Sequence, residues 1–88
     1  MENIEIIKIL EDIASLLEEE GENPFKVRAY RKAAHSIESL NVEVELMAAE
    51  NRLEEIPGVG EAIAKKLNEL VTTGHLEYYD KLRLSAKK

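Results

Sequence analysis

The sequence predicts an all-α fold, a compact bundle of four main helices plus a short terminal helix. Three observations carry that reading. Apolar residues recur at three- and four-residue steps (Ile6, Ile9, Leu10, Ile13, Leu16, Leu17), the repeat of one helix face. β-Propensity is low along the whole chain. The breakers fall at intervals that suit helices: Gly21, Asn23-Pro24, Pro57-Gly58-Val59-Gly60 and Thr72-Thr73-Gly74.

The first helix follows from Asn3, a residue type that caps helix N-termini, and from the apolar stripe through Leu17. Gly21 ends it at a position that accepts left-handed backbone. The acidic run Glu18-Glu19-Glu20 opposes the helix dipole there, so the last turn is expected to fray. A second helix opens at Asn23-Pro24, a cap followed by a proline whose missing N–H costs nothing at the first helical position. It runs through Tyr30 to about Leu40, and Ala29, Ala33 and Ala34 let another helix approach closely. Residues 43–50 read as a short third helix closed by Asn51-Arg52. Two helical pieces then lie on either side of the break at Pro57–Gly60. A last short helix spans Leu76–Leu84, with His75 at its start as the expected cap and Ser85–Lys88 expected to fray.

Composition bounds the function. With 88 residues, 44% apolar and 34% charged, the chain suits one small globular domain, residues 1–88, without a cofactor fold of its own. The absence of Cys removes disulfides, thiolate zinc sites and a cysteine nucleophile. Asp12 and Asp80 are the only aspartates, so the paired-aspartate metal centre of nucleotidyl transfer is missing. The apolar runs are too short for a membrane helix, and Glu2 and Glu5 do not suit a leader peptide. A cytoplasmic location is expected, nucleoid-associated in a prokaryote.

The formal net charge is −6, but it is unevenly distributed. Residues 1–23 set Lys8 against eight acids, whereas residues 24–36 hold Lys26, Arg28, Arg31 and Lys32 with no acid. Residues 37–55 are acidic again and residues 56–88 mildly basic. A fold that brings the basic zones together would present one face to a polyanion. Solvated helix faces are the bland alternative.

The most specific stretch is Leu53-Glu54-Glu55-Ile56-Pro57-Gly58-Val59-Gly60-Glu61-Ala62-Ile63-Ala64. Pro57 has no N–H with which to continue a helix. Gly58 and Gly60 permit positive φ and leave backbone N–H groups open to a phosphate. Val59 is expected to plug the hairpin into the core, and Ala64 to let the helices pack. The helix that begins after Gly60 points its positive end at any bound anion. A tight turn between two core helices is the simpler reading of the same residues.

This stretch resembles the helix-hairpin-helix motif, placed here at residues 53–73. The resemblance extends to Glu22–Ala34 upstream and Thr73–Arg83 downstream. Together these segments are similar to the N-terminal, 8 kDa-type domain of family X DNA polymerases, the DNA polymerase beta-like proteins, and closest in style to the bacterial and archaeal members. The resemblance implies sequence-independent binding to the backbone and 5′-phosphate of gapped or nicked DNA. It places Gly58, Val59, Gly60, Phe25, Lys26, Arg28, Tyr30, Arg31 and Lys65 at the DNA. It also implies a monovalent cation, Na+ or K+, held by the backbone carbonyls of Glu54, Ile56 and Val59, with no other cofactor required. The expected partners are DNA and the polymerase domains of a longer parent chain, the domain itself being monomeric.

In vertebrate members this domain also removes a 5′-deoxyribose phosphate through a lysine Schiff base and β-elimination. The position of that lysine falls on Lys66. At about 100° per residue, Lys66 lies about 40° outside Leu70 on the rim of the apolar stripe formed by Val59, Ile63, Leu67, Leu70 and Val71, whereas Lys65 points away. A rim lysine near Lys26 or Arg31 suits a nucleophile, though a snorkelling side chain looks the same. Four departures thin the pocket. Phe25 replaces a histidine, and Glu54, Ala62 and Tyr78 stand where lysines are found. DNA binding is therefore the first expectation and lyase chemistry the alternative. A protein-interaction domain that has lost DNA, suggested by the acidic first helix, is the third. The acidic face of that helix is expected to lie opposite the basic face of residues 26–32 and 65–66.

Overall fold

The computed structural model describes residues 1–86, and every regular element among them is helical. In chain order these are α1 (Asn3–Glu19), α2 (Pro24–Glu38), α3 (Val44–Ala49), a 3-10 turn (Leu53–Glu55), α4 (Glu61–Thr73) and α5 (Glu77–Ala86). The all-α bundle expected from the periodicity is the one observed. Its hairpin has a shorter first arm than expected, a single 3-10 turn. Ile56, preceding Pro57, is extended at φ −71° and ψ 123°, as the proline ring requires of its neighbour.

α1 and α2 form the central pair. Ile6, Leu10, Ile13 and Leu17 of α1 are almost fully buried, against Ala33, Ala34 and Ile37 of α2. The small residues bring the two helices close, and each large apolar side chain so buried contributes about 1.5–3 kcal/mol. Leu67 and Leu70 of α4, with Ile56, Leu76 and Val44, complete the core. No residue of α5 is fully buried, and the Tyr79 hydroxyl ties that helix to α1 by donating to Asp12 Oδ2 at 2.5 Å.

Four local expectations need correction. Glu2, not Asn3, is the N-cap of α1, and its N–H donates to Glu5 Oε1 at 3.3 Å. Asn3 instead clasps the start of α3. Its Nδ2 donates to the Val42 carbonyl at 2.9 Å, and its Oδ1 accepts from the Val44 N–H at 2.8 Å. An amide offers a donor and an acceptor at once, so it serves a tertiary contact better than a single cap.

The end of α1 is closed despite its acidic run. The Gly21 N–H donates to the Glu18 carbonyl and the Glu22 N–H to that of Leu17, at 3.1 and 3.0 Å. At α5 the Glu77 N–H donates to Glu69 Oε2 at 2.9 Å, so Glu69 takes the capping role expected of His75. α5 also continues through Ser85 and Ala86, whereas Lys87 and Lys88, expected to fray, lie outside the described residues. The cap at α2 is as expected, with Asn23 Oδ1 accepting from the Phe25 N–H at 2.9 Å.

Candidate nucleic-acid interface

The hairpin runs from Ile56 to Gly60. Gly58 adopts φ +86°, a conformation that costs an L-residue about 1–2 kcal/mol. Gly60, expected to use the same freedom, is extended at φ −94° and ψ −172° and serves as the N-cap of α4. Its carbonyl accepts from the Ala64 N–H, and its lack of a side chain leaves the helix end without a side-chain cap. Val59 is 5% exposed and anchors the turn in the core, as its position in the motif predicts. The Val59 N–H donates to the Ile56 carbonyl at 3.0 Å, closing the turn. The N–H groups that begin α4 have no partner within the helix, which is the general condition of a helix start.

A second cluster lies where α2, α4 and α5 meet. Tyr78 stacks on Tyr30 with ring centroids 6.2 Å apart and planes 14° from parallel. Lys66 Nζ is 4.7 Å and Lys26 Nζ 5.8 Å from the centroid of the Tyr78 ring. Lys66 is half-buried and Lys65 exposed, as the helical arithmetic requires. Burial pushes the Tyr30 phenol well above its usual range, the neighbouring Tyr78 hydroxyl adding to the shift. The Tyr78 oxygen is itself buried and meets no partner with hydrogen-bond geometry among the described residues. Tyr30, 3% exposed, therefore supports this cluster from below more than it reaches outward.

The remaining basic residues are dispersed. The Arg28 guanidinium lies 4.9 Å from the centroid of Phe25, whose side chain is 73% exposed and open to a stacking partner. Arg31 does not join Lys66. Both of its terminal nitrogens donate to the Glu18 carboxylate, at 3.1 and 3.2 Å, and this pairing holds Glu18 below the usual carboxylate range. The acidic side of α1 thus touches the basic segment at Arg31 and is not wholly opposite to it. Lys65 Nζ sits 3.6 Å from Glu61, one turn earlier on α4.

The structure therefore brings Lys26, Tyr30 and Lys66 together around Tyr78, sets Phe25 beside Arg28, and diverts Arg31 and Lys65 to carboxylates. Two contacts were not legible in the sequence. Tyr78 appears in the sequence as a lost lysine and in the fold as the surface on which two lysines meet. Lys32 lays its stem against Gly58: a Cβ built there would lie 2.8 Å from Lys32 Cγ. No local pattern signals either contact, because each joins elements distant in sequence.

Comparison with known proteins bears on the domain and its hairpin. Residues 1–76 match the family model described as a helix-hairpin-helix domain. The DNA polymerase/3'-5' exonuclease PolX of Bacillus subtilis (strain 168) is 34% identical over 74 residues, covering 84% of this chain. The match spans 12% of that relative's length. No helix among the described residues is long and apolar enough to cross a membrane. The match over most of its length, on a fold with the hairpin in place, shows that this chain belongs to the helix-hairpin-helix domain family, and the relative bears out its resemblance to family X DNA polymerases.

Proposed function

We propose that this chain is the DNA-binding domain of a family X polymerase-type protein, holding gapped or nicked DNA by its backbone and 5′-phosphate without reading its sequence. The observation that carries the proposal is the meeting of Lys26 and Lys66 at one tyrosine ring, with neither lysine paired to a carboxylate among the described residues. Two unpaired ammonium groups at one ring concentrate positive charge there, and a phosphate neutralises it. The hairpin supplies the sequence-independent part of the grip, since amides at a helix start meet phosphate oxygens and not base edges. A Na+ or K+ ion on the carbonyls of Glu54, Ile56 and Val59 would complete the bridge to a phosphate. The Ile56 carbonyl already accepts the Val59 N–H and retains one lone pair for such an ion.

Lyase action is the second reading, favoured by the half-buried position of Lys66. Its amine would add to C1′ of the open sugar with loss of water. A base would then take a C2′ proton, and the C3′–O bond would break, leaving a 5′-phosphate on the DNA. Binding is put ahead of catalysis because Lys26 and Lys66 together suit a phosphate, whereas the lyase reading rests on Lys66 alone.

Fluorescence anisotropy on a one-nucleotide gap, with and without a 5′-phosphate, tests the proposal. Affinity should fall steeply with salt, favour the phosphorylated gap and weaken about tenfold or more in the Lys26→Ala/Lys66→Ala double variant. Salt-independent binding, or an unaffected double variant, would overturn it. Borohydride trapping on a gap carrying 5′-deoxyribose phosphate separates the second reading, which requires an adduct that Lys66→Ala abolishes.

A further inference from the structure

We propose that Lys32 is the arm by which α2 joins the hairpin, its methylene stem packed on Gly58 and its ammonium held as a contact to the DNA backbone. The inference rests on the DNA-binding reading and adds to it a residue that neither the hairpin motif nor the Lys66 cluster contains. A Cβ built on Gly58 would lie 2.8 Å from Lys32 Cγ, 3.0 Å from Cδ and 3.3 Å from Cε. Three successive methylenes therefore run along one bare Cα, so the side chain lies flat on the turn. Since Nζ is one bond beyond Cε, the charge is within about 5 Å of the same point, given a C–N bond of about 1.5 Å.

The charge is also available. Arg31, Arg52, Lys65 and Lys81 each pair with a carboxylate, whereas Lys32 pairs with none among the described residues. A lysine ordinarily loses considerable rotamer freedom when it grips a ligand. Here the stem rests against Gly58 before any ligand arrives, which reduces that loss. The same contact gives Gly58 two separate reasons to be glycine, its φ of +86° and the space that Lys32 occupies.

The test uses the whole chain and three substitutions. Lys32→Met keeps a stem of similar length and removes the charge, Lys32→Gln removes the charge and ends the methylenes at Cγ under a polar amide, and Lys32→Ala removes both stem and charge. On the phosphorylated gap, Lys32→Met and Lys32→Gln should keep the wild-type melting temperature and bind about three- to tenfold more weakly. Their plots of log affinity against log salt should be shallower by about 0.9, the loss of one phosphate contact. Wild-type affinity and slope in both variants, with the wild type binding in a salt-dependent way, would overturn the role of Lys32 alone. A wild type that fails to bind DNA would overturn the DNA reading and the ammonium's role together. The packing half is read without DNA: Gly58→Ala should lower the melting temperature less in a Lys32→Ala background than in the wild type. Equal losses in the two backgrounds would refute the stem contact.

Discussion

Two turns in this molecule demand the same backbone and are built from different materials. Gly58 in the hairpin and Gly74 after α4 both adopt φ +86°. Around Gly74, no group beyond its own chain neighbours lies within 4 Å of where a Cβ would stand, among the described residues. That turn is secured by its neighbours in sequence. The Gly74 N–H donates to the Leu70 carbonyl at 2.9 Å, and the Thr73 hydroxyl lies 2.8 Å from the carbonyl oxygens of both Glu69 and His75. Around Gly58 the space is taken by the Lys32 stem, brought in by another helix. Each turn delivers an apolar residue to the core, Val59 in the first and Leu76 in the second. One turn is thus a local device for ending a helix. The other is a junction that carries charge to a surface, and the backbone angle alone does not distinguish them.

The anchors give the strongest way to break this comparison. Leu76→Ala should cost about 2–5 kcal/mol in urea unfolding and Val59→Ala about 1–3 kcal/mol, because a smaller side chain is removed. A larger loss at Val59 would mean that the hairpin, and not the turn after α4, is the more deeply rooted. The glycines come next. Gly74→Ala should cost about 1–2 kcal/mol, the strain of a left-handed L-residue alone. Gly58→Ala should cost about 1 kcal/mol more, because Lys32 must also be displaced. Equal costs would show that the Lys32 stem moves aside freely. Thr73→Val removes the local bonds of the second turn and should lose about 0.5–1.5 kcal/mol while leaving DNA affinity unchanged.

The smallest expected effect concerns charge. Arg31 directly precedes Lys32 yet is held by Glu18. Glu18→Gln should release Arg31 and strengthen binding to the phosphorylated gap about two- to fivefold at low salt. No change would mean that Arg31 faces away from DNA whether paired or free. Acid gives an independent check of sign. The folded carboxyl of Glu18 lies below its ordinary pKa of 4.5. Its pairing therefore favours the fold above that value and is lost as pH falls through the lower folded one, so near neutrality Glu18 is ionised and able to hold Arg31.

Much of the architecture was legible because it is written in short-range patterns. The stripe from Ile6 to Leu17, the Asn23-Pro24 start of α2, and the buried Val59 with a half-buried Lys66 all follow from helical periodicity and the habits of Pro and Gly. The errors share one cause. Asn3 and His75 were judged by their neighbours in sequence, and the acidic first helix was expected to lie opposite the segment that holds Arg31. Asn3 instead binds the start of α3, Glu69 from α4 does what His75 was expected to do, and Arg31 binds Glu18 from α1. Polar side chains follow whichever partner the fold brings near, and sequence distance does not limit that choice.

The sequence by itself determined the helices, their order, the breaking residues and the apolar faces that had to be buried. These depend on backbone geometry and on the removal of apolar surface from water, both of which act on spacing along the chain. Tertiary structure alone decided where these cations stand: Lys26 and Lys66 meet at Tyr78, Lys32 rests on Gly58, and Arg31 is paired with Glu18. Such contacts act only within a few ångströms, and for these residues those distances arise only when helices far apart in sequence are packed side by side.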